Sequence, residues 1–141
     1  MPLLSRRRFL ACTVGVAGFT PALSSLVAAS APAIGDGAHP TPRPGITAEK
    51  VATREQLAAT PHVVEVFDLV REVPAIADGI RCQCGCAELG GYRSLLTCFE
   101  APDMMAAHCP ICQAQARLVH RMHNAGRSLD EIRRGVDARF G

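Results

Sequence analysis

The sequence predicts a mostly α protein, a small bundle of three to four short helices around a cysteine- and glycine-rich loop. Three observations predict it. Apolar residues recur at three- and four-residue spacing over 60–73 and again over 110–125. Ser128 and Glu131, three apart, form a capping box at the start of a last helical segment. Between these stretches, residues 80–98 hold Cys82, Cys84, Cys86 and Cys98 with Gly85, Gly90 and Gly91, and keep no sustained period.

Composition bounds the rest. A chain of 141 residues has room for one modest domain. Hydrophobic residues at 48% and charged ones at 20% exclude a chain disordered throughout. A formal charge of +2 does not suit a nucleic-acid binder. Beyond the first 30 residues there is no apolar run of membrane-spanning length.

The N-terminus reads as an address. Ser5-Arg6-Arg7-Arg8-Phe9-Leu10 precedes an apolar stretch, and small residues follow at Val27-Ala28-Ala29-Ser30-Ala31. This is the layout of a secretory signal with a paired-arginine charged region. Residues 1–29 are therefore expected to be a signal peptide resembling those of twin-arginine export, with cleavage after Ala29 or Ala31. An uncleaved signal would leave the protein tethered to the membrane. The expected location is extracytoplasmic, such as the periplasm. Removing Arg6, Arg7 and Arg8 takes the 15 Lys and Arg to 12, against 13 Asp and Glu, so the mature surface is nearly neutral. Cys12 leaves too.

Residues 30–59 read as a linker and weak helix. Pro32, Pro40, Pro42 and Pro44 with several Gly suggest a tether. Thr47–Ala59 has few large apolar residues and reads as an exposed helix or continued linker. The cysteine-rich domain is expected over 60–141. Thr60-Pro61 suits a helix start, with Thr60 as cap and Val63, Val66, Phe67 and Val70 on one face. Pro74 ends or kinks that helix, and Pro74–Asp78 can begin another turn. A short turn is expected around Ser94–Cys98. In the next helix Ile111, Ala114, Leu118, Met122 and Ala125 form the apolar line, with Gly126 as the stop.

Six cysteines remain in the mature chain: Cys82, Cys84, Cys86, Cys98, Cys109 and Cys112. In an extended strand, residues two apart lie roughly 6.6 Å apart. That is the upper edge of disulfide geometry, so neighbours in the triplet pair poorly. Gly85 permits a sharp turn that swings the sulfurs inward, an arrangement suited to a metal. Pro110 places Cys109 near a helix cap, where the helix dipole favours a thiolate. His108 is a candidate auxiliary ligand, and His120 and His123 lie further along the helix. Met104-Met105 offers thioethers that can assist copper(I) or fill a core gap. Glu65, Asp68 and Glu72 read as a solvated helix face.

Three uses of these sulfurs stay open. They can hold a soft metal, copper(I) or zinc. They can exchange disulfides, with Cys109 attacking and Cys112 resolving. Or they can close three structural disulfides, as six cysteines in an exported domain allow.

Arg81-Cys82-Gln83-Cys84-Gly85-Cys86, then Tyr92-Arg93-Ser94-Leu95-Leu96-Thr97-Cys98-Phe99 and His108-Cys109-Pro110-Ile111-Cys112, resembles the bacterial family named for a PCYCGC (or CYCXC) motif. The closing Gly126-Arg127-Ser128-Leu129-Asp130-Glu131-Ile132-Arg133 also looks like that family, so the resemblance spans roughly residues 60–141. It implies a small exported protein or lipoprotein. Some members carry selenocysteine, which implies a chemically exposed sulfur. Two departures stand out. Arg81 and Gln83 replace the motif's Pro and Tyr, and Tyr92 stands where a His is common.

The expected function is soft-metal binding through Cys82, Cys84, Cys86, Cys98, Cys109 and Cys112 with His108, serving metal trafficking, storage or detoxification. The expected partner is a metal donor or acceptor. The alternatives are an extracytoplasmic thiol–disulfide oxidoreductase with a thiol-redox partner, and a disulfide-stapled interaction module.

Overall fold

In the computed structural model, residues 37–141 are described. The expected signal segment and Cys12 lie outside them. Among the described residues the architecture is mostly helical, as the periodicity predicts, and the only β feature is an isolated bridge between Val51 and Glu100.

Pro61 opens a short 3-10 turn, Pro61–Val63, that runs into α1, Val64–Glu72. Thr60 does not cap it: its hydroxyl lies 3.5 Å from the Leu57 carbonyl instead. Val66, Phe67 and Val70 are buried along α1, as the spacing predicts. Val73 leaves the helix because the residue before a proline avoids the α region. Pro74 then sits at the first position of α2, Pro74–Asp78, where its missing N–H costs nothing. After α3, Cys86–Leu89, a 3-10 turn at Leu96–Phe99 supplies the expected turn around Cys98.

The two long helices close the body. α4 runs Pro110–Asn124 with Cys109 as its N-cap residue, and α5 runs Leu129–Phe140. The Ser128 hydroxyl accepts from Glu131 N at 3.3 Å, while Ser128 N donates to the Glu131 carboxylate at 2.8 Å, completing the predicted capping box. α4 packs against α1, α2 and α5. At the centre, Phe67 and Phe99 meet edge to face with centroids 4.7 Å apart.

Two sequence expectations need correction. The apolar line of α4 is rotated: Cys112, Gln115, Ala116 and Val119 are buried, while Ile111 is 43% exposed and Ala114 is exposed. Leu118 and Met122 pack only partly against the core. The inward line is set by Cys112, which a reading weighted to aliphatic residues does not choose.

Secondly, the segment from 37 to 59 is no tether. Val51, Ala52 and Leu57 are core residues. Ala52 N donates to the Phe99 carbonyl at 3.0 Å, and Ala101 N to the Lys50 carbonyl at 2.9 Å. Prolines remove donors but keep carbonyl acceptors. The folded body supplies the donors: Arg133 reaches the Pro40 carbonyl at 2.8 Å, and Arg93 reaches that of Thr41. Arg43 pairs with Asp78, whose side chain is fully buried. Asp78 also accepts from Arg93 and from the Ser94 hydroxyl, each at 2.9 Å. This clasp ties the 37–59 strap, α2 and the turn before Cys98 together.

Among the described residues no helix is long and apolar enough to cross a membrane.

Candidate metal centre

Local chain geometry brings the sulfurs together. Leu95 N donates to the Ile80 carbonyl at 2.7 Å, which closes residues 80–95 into a loop. Gly85 takes φ +82°, a left-handed turn that other residues reach only with strain. Cys112 enters from the first turn of α4, and Cys98 from the Leu96–Phe99 turn.

The Sγ atoms of Cys82, Cys84 and Cys112 all lie within 4.8 Å of one another. Cys82 and Cys84 are 3.2 Å apart, Cys82 and Cys112 3.4 Å, and Cys84 and Cys112 3.5 Å. A disulfide holds its sulfurs at about 2.05 Å, so these are not bonded. All six described cysteines are free thiols, and the disulfide-stapled arrangement does not form among them. Cys82 and Cys112 are fully buried, and Cys84 is half-buried. Cys98, also buried, falls outside the mutual group. Its thiol lies 3.8 Å from the Ser94 carbonyl.

Hydrogen bonds from the Cys112 and Cys98 thiols, joined by the Cys84 backbone N–H, outweigh burial and hold the Cys82 thiol down at about 3. Burial and the Cys86 thiol push Cys84 up to about 12. Cys112 is pushed up by its hydrogen bonds to Cys82 and Cys98 and by burial. For Cys98, the hydrogen bond with Cys112 is outweighed by the Cys82 sulfur and by burial, so it too is raised. Cys82 is thus the most acidic thiol of the cluster.

Of the seven expected ligands, three form the mutual group and Cys98 adjoins it. Cys86 is half-buried and is not a member of the group. Cys109 is half-buried and His108 exposed, and neither belongs to it. The Cys109–Cys112 spacing puts one residue at the cap, with extended backbone, and the other inside the helix, so burial separates them. His120 pairs with Glu72, and His123 is exposed. Glu65 meets Arg117 at 2.9 Å at the surface.

Two residues beside the sulfurs escape the sequence reading. Gln115, fully buried one turn after Cys112, accepts from Gln83 N at 3.2 Å and places its amide nitrogen 3.8 Å from Cys82 Sγ. The Gln83 side chain donates to Asp137 at 2.9 Å. The available signal was a polar residue three positions after a cysteine on a helix.

A family described as "Protein of unknown function with PCYCGC motif" matches residues 47–141, about two thirds of the chain. The chain belongs to the PCYCGC-motif family. In this family member the first two motif cysteines form the trio with Cys112, and the third is not part of it. The match begins at Thr47, so it includes the core residues Val51, Ala52 and Leu57 that precede α1. No curated protein and no solved structure matches the chain.

Proposed function

We propose that the protein binds a soft metal ion, copper(I) or zinc, through the thiolates of Cys82, Cys84 and Cys112, with Cys98 closing a fourth position. The observation that carries this reading is the trio of free sulfurs 3.2–3.5 Å apart, drawn from two segments about 30 residues apart in sequence. A tetrahedral zinc site with Zn–S bonds of about 2.3 Å holds its sulfurs roughly 3.8 Å apart. The trio needs to open by only a few tenths of an ångström. Thiolates favour soft ions over calcium or magnesium.

Burial favours metal over disulfide exchange. In the expected redox pair the attacking Cys109 is half-buried, but the resolving Cys112 is fully buried, out of reach of a folded disulfide partner. A small ion reaches such sulfurs more readily than a folded substrate. On this reading the protein is exported by a twin-arginine-type signal and works outside the cytoplasm. It stores, carries or sequesters the metal and exchanges it with a donor or acceptor protein.

Anaerobic loading with copper(I) or zinc, followed by elemental analysis and mass-spectrometric mapping of alkylated cysteines, tests the reading. Retained metal with Cys82, Cys84 and Cys112 protected from alkylation supports it. A chain that retains no metal, with all three alkylated at the rate of the metal-free protein, overturns it.

A further inference from the structure

We propose that Gln115 is the positioning residue of this centre: its carboxamide fixes the Cys82 loop and donates a hydrogen bond to the Cys82 sulfur. The inference deepens the soft-metal reading, and its metal-loaded arm rests on that reading.

Gln115 is one of three buried polar or charged side chains among the described residues, with Asp78 and Ser94. Those two satisfy each other within the strap clasp. Gln115 has no part in it. It sits in the middle of α4 where an apolar residue would cost nothing, since a buried amide needs partners on both ends. It has both. Gln83 N donates to its Oε1 at 3.2 Å. This fixes which way the amide faces, because the backbone N–H requires an acceptor. The –NH2 end is thereby turned toward Cys82 Sγ, 3.8 Å away. The –NH2 group only donates and a cysteine sulfur can accept, so donor and acceptor match.

The placement is also economical in chain terms. Cys112 and Gln115 are three apart on α4, so one helix face delivers a ligand and the donor to its neighbour. One hydrogen bond sets the backbone beside Cys82, and the other donates to its sulfur. Loss of a group that orients a ligand typically lowers metal affinity by about 10–100-fold.

The test uses the full chain with cadmium as the metal probe and Gln115→Met, which keeps the volume and removes both polar ends. In the wild type loaded with spin-active cadmium, a Gln115 side-chain amide proton is expected to show scalar coupling to the metal through the Cys82 sulfur. Gln115→Met should bind cadmium about 10–100-fold more weakly. Val119→Ala, a buried change one turn further along α4, should leave affinity unchanged. In metal-free protein, the Gln83 amide should exchange slowly in the wild type and fast in Gln115→Met. Cadmium binding with no such coupling, and equal affinity in Gln115→Met, overturns the role of Gln115 and leaves the metal reading standing. A wild type that binds no cadmium overturns the metal reading instead. The exchange arm then still decides the loop clamp, which equal Gln83 exchange rates would overturn.

Discussion

Cys82 shares its chemistry with five other described cysteines and differs in surroundings. It is fully buried, with the Cys84 and Cys112 sulfurs 3.2 and 3.4 Å from its own. Burial alone disfavours a thiolate, so the neighbouring S–H and N–H donors decide the outcome. The metal-free protein should therefore show one thiolate by ultraviolet absorbance at about pH 6, well below the ordinary thiol value of about 8.5. Cys82→Ser should abolish that signal, whereas Cys86→Ser should retain it. Only part of this was legible in the sequence. Clustered cysteines and the turn at Gly85 announce a sulfur pocket. Which sulfurs lie deepest depends on how α4 rotates, and that rotation follows Cys112 and Gln115 and not the aliphatic line through Ile111 and Ala114. A polar residue placed beside a sulfur leaves no periodic trace.

At the scale of elements, the strap before α1 belongs to the fold that holds the loop. Its proline content hides this, because it is held by carbonyls accepting from Arg93 and Arg133 and by the Arg43–Asp78 pair. Those contacts join residues about 35 to 90 positions apart, beyond what local spacing reveals. The helices were legible because their signals are local: Pro61, Pro74 and Pro110 at first turns, and the Ser128–Glu131 box. Leu57→Ala should destabilise the protein by about 2–5 kcal/mol in denaturant unfolding, as for a core leucine. A change within experimental error would return the segment to the role of a linker. Asp78→Ala leaves two partly exposed arginines and the buried Ser94 hydroxyl without their acceptor and should cost about 1–3 kcal/mol. The pH dependence has a definite sign. Burial alone would raise the Asp78 carboxyl, but hydrogen bonds from Arg43 and Ser94 and the charge of Arg93 hold it below the ordinary range. Its stabilisation is therefore complete above the ordinary carboxylate value of about 4 and is lost as pH falls through its lowered value. Acid unfolding followed by circular dichroism should be shallower below about pH 4 in Asp78→Ala than in the wild type.

For the whole molecule, the sulfur cluster lies where the loop, the Leu96–Phe99 turn and α4 converge, so metal and fold are thermodynamically linked. An ion held by the native state alone stabilises it by about 2.7 kcal/mol at a free concentration one hundred times Kd. For a domain of this size that raises the melting temperature by roughly 10–20 °C. Calorimetry with and without copper(I) or zinc should show this rise in the wild type and lose it in Cys112→Ser. The most direct test of the central claim is X-ray absorption at the metal edge of the anaerobically loaded full chain. An all-sulfur shell of three to four atoms at about 2.3 Å, diminished in Cys112→Ser, is the predicted result. A shell of nitrogen and oxygen atoms, or one that Cys112→Ser leaves unaltered, would contradict it.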